Sequence, residues 1–153
     1  VDEKLTGGDT SWRERLVEEP EAIASVLKQA RRVAVIGIKP EIAGGPAYYV
    51  PQYLQAHGYE IIPVPVYFPD ITEILGEPVH RELHTIEGPI DLVVLFRRSP
   101  DVAQHVDEII AARPRAVWMQ LGIANEEAAK ALARAGILVV QDRCTKVEHQ
   151  QLR

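Results

Sequence analysis

Ten residues, Gly37-Ile38-Lys39-Pro40-Glu41-Ile42-Ala43-Gly44-Gly45-Pro46, connect an apolar run to a helical pattern. A glycine-rich turn feeding a helix N-terminus is a seat for an anion, because backbone N–H groups point outward and the helix dipole favours negative charge. Pro46 fits the first helical position, where its missing N–H is harmless. Ala47 and Tyr48 are then expected to offer free N–H groups, and Lys39 adds a positive charge. The spacing is neither G-x-G-x-x-G nor G-x-x-x-x-G-K-[ST]. Phosphate is the ligand group the turn predicts; the plain alternative is a tight loop with no ligand. Pro51, five residues into the helix, predicts a kink there or a helix that begins at Pro51.

Four further strand ends carry residues of interest. Pro63-Val64-Pro65-Val66-Tyr67 has no Asp or Glu where a dinucleotide fold places one for the ribose hydroxyl. Its prolines and aromatic predict an apolar shelf for an adenine. Phe96-Arg97-Arg98-Ser99-Pro100 puts two guanidinium groups just before a helix, with donors for phosphate. Gln120-Leu121-Gly122 offers an amide that donates and accepts, then a glycine that permits close backbone approach. Gln141-Asp142-Arg143-Cys144 contains the single cysteine, read as structural because no histidine has a motif spacing to it. His80 and His84 lack the third ligand that a metal site needs, and no catalytic site is assigned.

These strand ends need a scaffold, and hydropathy supplies one. Arg32 to Gly37, Glu60 to Val64, Asp91 to Phe96, Ala116 to Met119 and Ile137 to Val140 are short apolar runs, the mark of strands buried on both faces. Helical patterns lie between most of them. Ile23, Val26, Leu27 and Ala30 make one stripe, Pro46 to His57 runs to Gly58, Ser99-Pro100-Asp101 opens a third helix, and Asn125 opens a fourth that ends at Gly136. Ser11-Trp12-Arg13-Glu14 reads as a capping box at the start of a short helix. Val1 to Gly8 looks frayed, and Pro65 to Ile90 carries no clear pattern. The expectation is one α/β domain: a doubly wound, Rossmann-like fold with a mainly parallel five-stranded sheet and helices on both faces. Residues 1–19 are read as an N-terminal extension with a short helix and 20–150 as the domain.

Composition agrees with a globular chain. It has 153 residues, 46% of them apolar and 25% charged, with a net charge of −5. The acidic balance argues against a nucleic-acid partner spread over the surface. No stretch approaches the roughly 18 apolar residues of a membrane span, and no signal-peptide pattern is present, so a cytoplasmic location is expected. There are 12 Arg, 5 Lys and a single Asn, which fits a heat-adapted source or a GC-rich genome equally well.

Together the strand ends resemble the small stand-alone CoA-binding domain family, similar to the CoA-binding domain of the succinyl-CoA synthetase alpha subunit. The matching stretches include Val33 to Gly37, Pro46-Ala47-Tyr48, Ile62-Pro63-Val64, Asp91 to Arg97, Val117 to Gly122, Asn125 to Ala129 and Val140 to Cys144. They span about residues 20 to 150, and Trp118 to Gly122 with Asp142-Arg143-Cys144 is the more specific part. The resemblance implies CoA or acyl-CoA, with its adenine nucleotide and diphosphate at the Gly37 turn and neighbouring strand ends. The expected contacts are Gly37, Ile38, Lys39, Pro40, Ala47, Tyr48, Val64, Pro65, Phe96, Arg97, Arg98, Gln120 and Gly122.

The family's usual Gly-Ala-Ser is Gly37-Ile38-Lys39 here, its Asn-Pro-Lys is Val64-Pro65-Val66, and its Ser before Tyr48 is Ala47. Positive charge is then expected from Lys39, Arg97 or Arg98. A chain this short has no room for the synthetase's catalytic domain. The expected function is therefore non-catalytic CoA or acyl-CoA binding. The alternatives are an interaction or regulatory protein with a vestigial pocket and, third, an NAD(P)-dependent oxidoreductase.

Overall fold

Alternation along each strand decides the architecture. A computed structural model describes residues 10–152; the residues read as frayed, Val1 to Gly8, lie outside them. Strands β1 (Arg32–Ile36) and β2 (Glu60–Val64) are followed by a two-residue hairpin pair, β3 (Glu73–Ile74) and β4 (Glu77–Pro78), and then by β5 (Leu92–Leu95), β6 (Ala116–Met119) and β7 (Leu138–Val140). The main sheet has five strands in the order β2-β1-β5-β6-β7. Every pairing in it is parallel.

Helices α1 (Pro20–Gln29), α2 (Pro46–Ala56), α3 (Val106–Ala112), α4 (Glu126–Arg134) and α5 (Thr145–Gln150) cover both faces. Val33, Val35, Val94 and Trp118 point to the side of α1 and α2, where Leu27, Tyr48 and Leu54 meet them. Ala34, Ile36, Val93 and Met119 point to the other side, against Ile109 of α3 and Leu132 of α4. Both residue sets are apolar because both faces are buried, which is why the strands read as continuous runs. The doubly wound α/β fold expected from the sequence is the fold present.

Local chemistry adjusts several expectations. The Ser11–Arg15 segment is a short 3-10 helix whose N-cap is Thr10 and not Ser11, and the Thr10 side chain makes no capping bond. The turn has only five residues, and the next ones are drawn into the sheet: Leu16 bridges Val139, and the Val17 N–H donates to the Val139 carbonyl at 2.8 Å. Trp12 is buried in the core, so residues 10–19 pack as part of the domain. The Ser99–His105 stretch is 3-10, and the α-helix proper starts at Val106. Pro65 to Ile90 contains the β3–β4 hairpin and a 3-10 turn, Leu83–Thr85.

Helix α2 is continuous from Pro46 and does not begin at Pro51. A proline inside a helix removes the donor owed to the carbonyl four residues earlier, here that of Ala47. The Lys39 backbone N–H donates to that carbonyl instead, at 3.2 Å. The proline thus frees an acceptor that anchors the Gly37 turn to α2.

Candidate functional site

Strand order reverses between β1 and β5, and in open α/β sheets the crevice outside that reversal is where ligands bind. Gly37 leaves β1 there and Phe96-Arg97 leaves β5. The Gly37 N–H donates to the Val64 carbonyl at 2.9 Å, and the Phe96 N–H donates to the Ile36 carbonyl at 2.9 Å. Gly37 has φ +87°, and a Cβ on it would stand 2.1 Å from the Phe96 carbonyl oxygen. Only glycine satisfies both the backbone angle and the contact. The close approach that demands Gly37 is therefore to the chain's own backbone.

Arg97 lies against this turn, with its Cδ 3.4 Å from the same Cβ position, and is only 8% exposed. Its Nε–H donates to His105 Nε2 at 3.1 Å, and His105 Nδ1 lies 2.9 Å from a Glu108 carboxylate oxygen. An arginine N–H always donates, so Nε2 is the bare nitrogen and the proton sits on Nδ1, toward Glu108. The other Glu108 oxygen accepts from the Leu83 N–H at 3.2 Å. One terminal nitrogen of Arg97 reaches the Tyr67 hydroxyl at 3.4 Å, and the guanidinium lies 5.9 Å from the Tyr67 ring centroid. Among the described residues, no carboxylate pairs directly with Arg97. A buried guanidinium held by a neutral imidazole and a phenol lacks a counter-ion, and such a group is costly to bury unpaired.

The other strand-end residues fall into distinct roles. Arg98 is 79% exposed at its side chain and donates to Asp101 at 3.2 Å. Ile38 and Pro40 are buried, while the Lys39 side chain is exposed. Ala47 and Tyr48 are buried on the first turn of α2. The Tyr48 N–H donates to the Gly45 carbonyl at 3.0 Å, whereas that of Ala47 has no backbone acceptor in the turn. Burial first, then Glu41 and Tyr49 nearby, pushes the Tyr48 phenol above its ordinary range, which keeps it protonated. Val64 and Pro65 are buried and Phe96 is half-buried. The buried Gln120 amide donates to Thr145 Oγ1 at 2.9 Å and accepts from the Thr145 N–H at 3.3 Å, so it braces the start of α5. The Gly122 N–H donates to Asp142 at 2.7 Å, and Asp142 sits in the left-handed region with φ 58°.

Side chains that sequence reading passed over make this edge rigid. Arg81 donates to four carbonyls, those of Pro65, Tyr67, Phe68 and Ile71, and so holds the loop that presents Tyr67. Nothing in the spacing around Arg81 signals this. His105 and Glu108 were readable as an i, i+3 pair, but not as the support of an arginine eight residues upstream. Trp118 Nε1 donates to the Arg143 carbonyl at 2.7 Å and fixes the loop after β7. Cys144 is a half-buried N-cap of α5. Among the described residues, no group of three metal-type side chains converges, and no helix is long and apolar enough to cross a membrane.

The same edge is the apolar one. Ile42, Tyr49, Tyr67 and Leu121 are 90%, 50%, 60% and 70% exposed, and all four lie on connections at the carboxyl ends of strands or in the first turn of α2. Large apolar side chains gathered at one edge mark a binding surface better than scattered ones do.

Comparison with known proteins agrees with the geometry. The family model for the CoA binding domain matches residues 31–150. The YneT protein of Bacillus subtilis strain 168 is 37% identical over 129 residues, covering 83% of this chain and 91% of its own. A Thermus thermophilus protein of known structure superposes with a TM-score of 0.81 at 37% identity, over 89% of this chain and 100% of its own. The dinucleotide-forming acetyl-coenzyme A synthetase 1 of Ca. Korarchaeum cryptofilum shares the fold alone: TM-score 0.59, 16% identity, 71% of this chain and 25% of its own. The chain belongs to the CoA-binding domain family.

Proposed function

We propose that this protein binds coenzyme A, free or acylated, as a non-catalytic module, with a phosphate of the ligand meeting Arg97 at the β1/β5 reversal. The observation that carries the reading is the buried Arg97 guanidinium, which has donors to spare and no carboxylate partner. A phosphate offers the missing counter-charge, and charge-assisted bonds to guanidinium are among the strong ones. The Ala47 N–H on the first turn of α2, which has no backbone acceptor in the turn, is a neutral donor for the ligand. Tyr67 offers the exposed ring on which an adenine would lie, and Lys39 adds an exposed charge. Arg98, already engaged by Asp101, contributes long-range charge only. Gln120 and Gly122 act through the loops they brace.

The non-catalytic part rests on how the nearby reactive groups are engaged. His105 is held between Arg97 and Glu108 through both ring nitrogens, and Gln120 is held by Thr145. Isothermal titration with CoA, acetyl-CoA and NADP tests the reading. Saturable binding of CoA with none of NADP supports it. Binding of NADP with no heat from either CoA species overturns it.

A further inference from the structure

The opposite, amino-terminal edge of the sheet carries a second concentration of positive charge. A hollow of about 430 Å³ lies between the C-terminal end of α1, the turn before β2 and the end of the chain. Lys28, Arg31, His57 and His149 line it, over a floor of Leu27 and Tyr59, and among the described residues no carboxylate does. A comparable hollow beside β2, about 450 Å³, mixes Arg32 and His80 with Glu60, Glu77 and Glu87. In a chain of net charge −5, a one-signed cationic recess is a departure that needs a reason.

The recess is built around two imidazoles. His57 Nδ1 lies 2.8 Å from the Tyr53 carbonyl, so it carries the proton and leaves Nε2 free. His149 Nδ1 is 2.8 Å from the Tyr53 hydroxyl. The two rings lie 5.3 Å apart, His57 stacks on Tyr53 at 4.0 Å, and His149 meets Tyr59 edge-on at 5.7 Å. The rings are therefore held in place by aromatic neighbours, with their second nitrogens available. Lys146 adds charge from α5, 5.5 Å over the Tyr53 ring. Neighbouring acids are already engaged: Asp91 accepts from the Arg31 and Arg32 backbone N–H groups at 2.9 and 2.8 Å, Glu60 pairs with Arg32 at 3.3 Å, and Glu148, beside His149 on α5, pairs with Arg143 at 3.6 Å. Burial, and then the charge of His57, hold the His149 imidazole below its ordinary range, which is the repulsion an anion would relieve.

We propose that this recess is a second anion site, taking a phosphate-sized oxyanion between Lys28, Arg31, His57 and His149. It lies at the opposite edge of the sheet from Arg97 and does not depend on the CoA reading. The test titrates inorganic phosphate against chloride at matched ionic strength and follows the histidine ring resonances by NMR. Saturable shifts of His57 and His149 with phosphate, and not with chloride, are expected, together with an upward move of the His149 titration midpoint. The Lys28→Ala/Arg31→Ala double variant should weaken phosphate, read at His57 and His149, at least tenfold. Both altered side chains are on the surface; if the double variant loses its native spectrum, Arg31→Gln alone serves, with a smaller expected loss. Linear shifts, equal shifts in chloride, undiminished saturation in the variants, or shifts confined to His105 would each overturn the proposal.

Discussion

On the proposed reading Arg97 is costly to bury until the ligand's phosphate meets it, and that makes its substitution informative in two directions. Arg97→Met removes a buried charge and keeps most of the packed stem. The free protein should hold or gain stability in urea, while CoA affinity falls by about 1–3 kcal/mol, the worth of a charge-assisted bond. Arg98→Ala, by contrast, removes an exposed pair of little value and should leave calorimetric CoA affinity unchanged. Gly37→Ala should destabilise the free protein by about 2 kcal/mol or more, since a left-handed angle and a backbone clash add. An unchanged urea midpoint for that variant would remove the clash from the account. At this scale the sequence displayed which residues stand at strand ends, and little about which of them are free. Arg97 and Arg98 are indistinguishable as letters; packing of one under Tyr67 and the other into solvent separates them. Gln120 is legible as a strand-end amide, while its engagement by Thr145 at both ends is not.

Two elements position the site from outside it. The loop after β2 is stitched by Arg81, whose guanidinium replaces a strand partner for four carbonyls. Arg81→Ala should speed amide exchange across residues 65–71 and weaken CoA, with the exchange of β1 and β5 unchanged; uniform exchange in all three segments would deny the loop its separate role. Helix α5 rests through His149 on Tyr53 of α2 and on Tyr59 just before β2. A His149 imidazole held below its ordinary value means the folded state binds the proton less well than the unfolded one. Stability is then full above about pH 6.5, the unfolded imidazole value, and falls as the pH drops below it. His149→Phe should flatten that part of the stability–pH curve, measured by urea melts from pH 8 to 5; an unaltered slope would contradict it. The five strands of the main sheet were legible almost to the residue because both faces are apolar, whereas the β3–β4 hairpin was not. The 3-10 character of Ser11–Arg15 and Ser99–His105 was not, because tertiary pulls decide it: Leu16 and Val17 follow β7, and Ser99 is tied through its hydroxyl and carbonyl to Ala124 and Asn125.

At the scale of the molecule, the two edges of the sheet differ in surface chemistry. Its carboxyl edge exposes Ile42, Tyr49, Tyr67 and Leu121 and holds the buried Arg97 guanidinium, whereas its amino edge carries the cationic recess of α1 and α5. The net charge of −5 describes neither edge. A ligand that binds only the folded form raises stability by about 2.7 kcal/mol at a hundredfold excess over its dissociation constant, so CoA should raise the melting temperature of the wild type. The most direct test of the central claim is a calorimetric titration of CoA into the wild type and Arg97→Met, with melting curves of both free proteins. The account predicts saturable binding to the wild type, at least fivefold weaker binding to the variant, and a variant melting temperature no lower than that of the wild type. Equal affinity in the two proteins would contradict it.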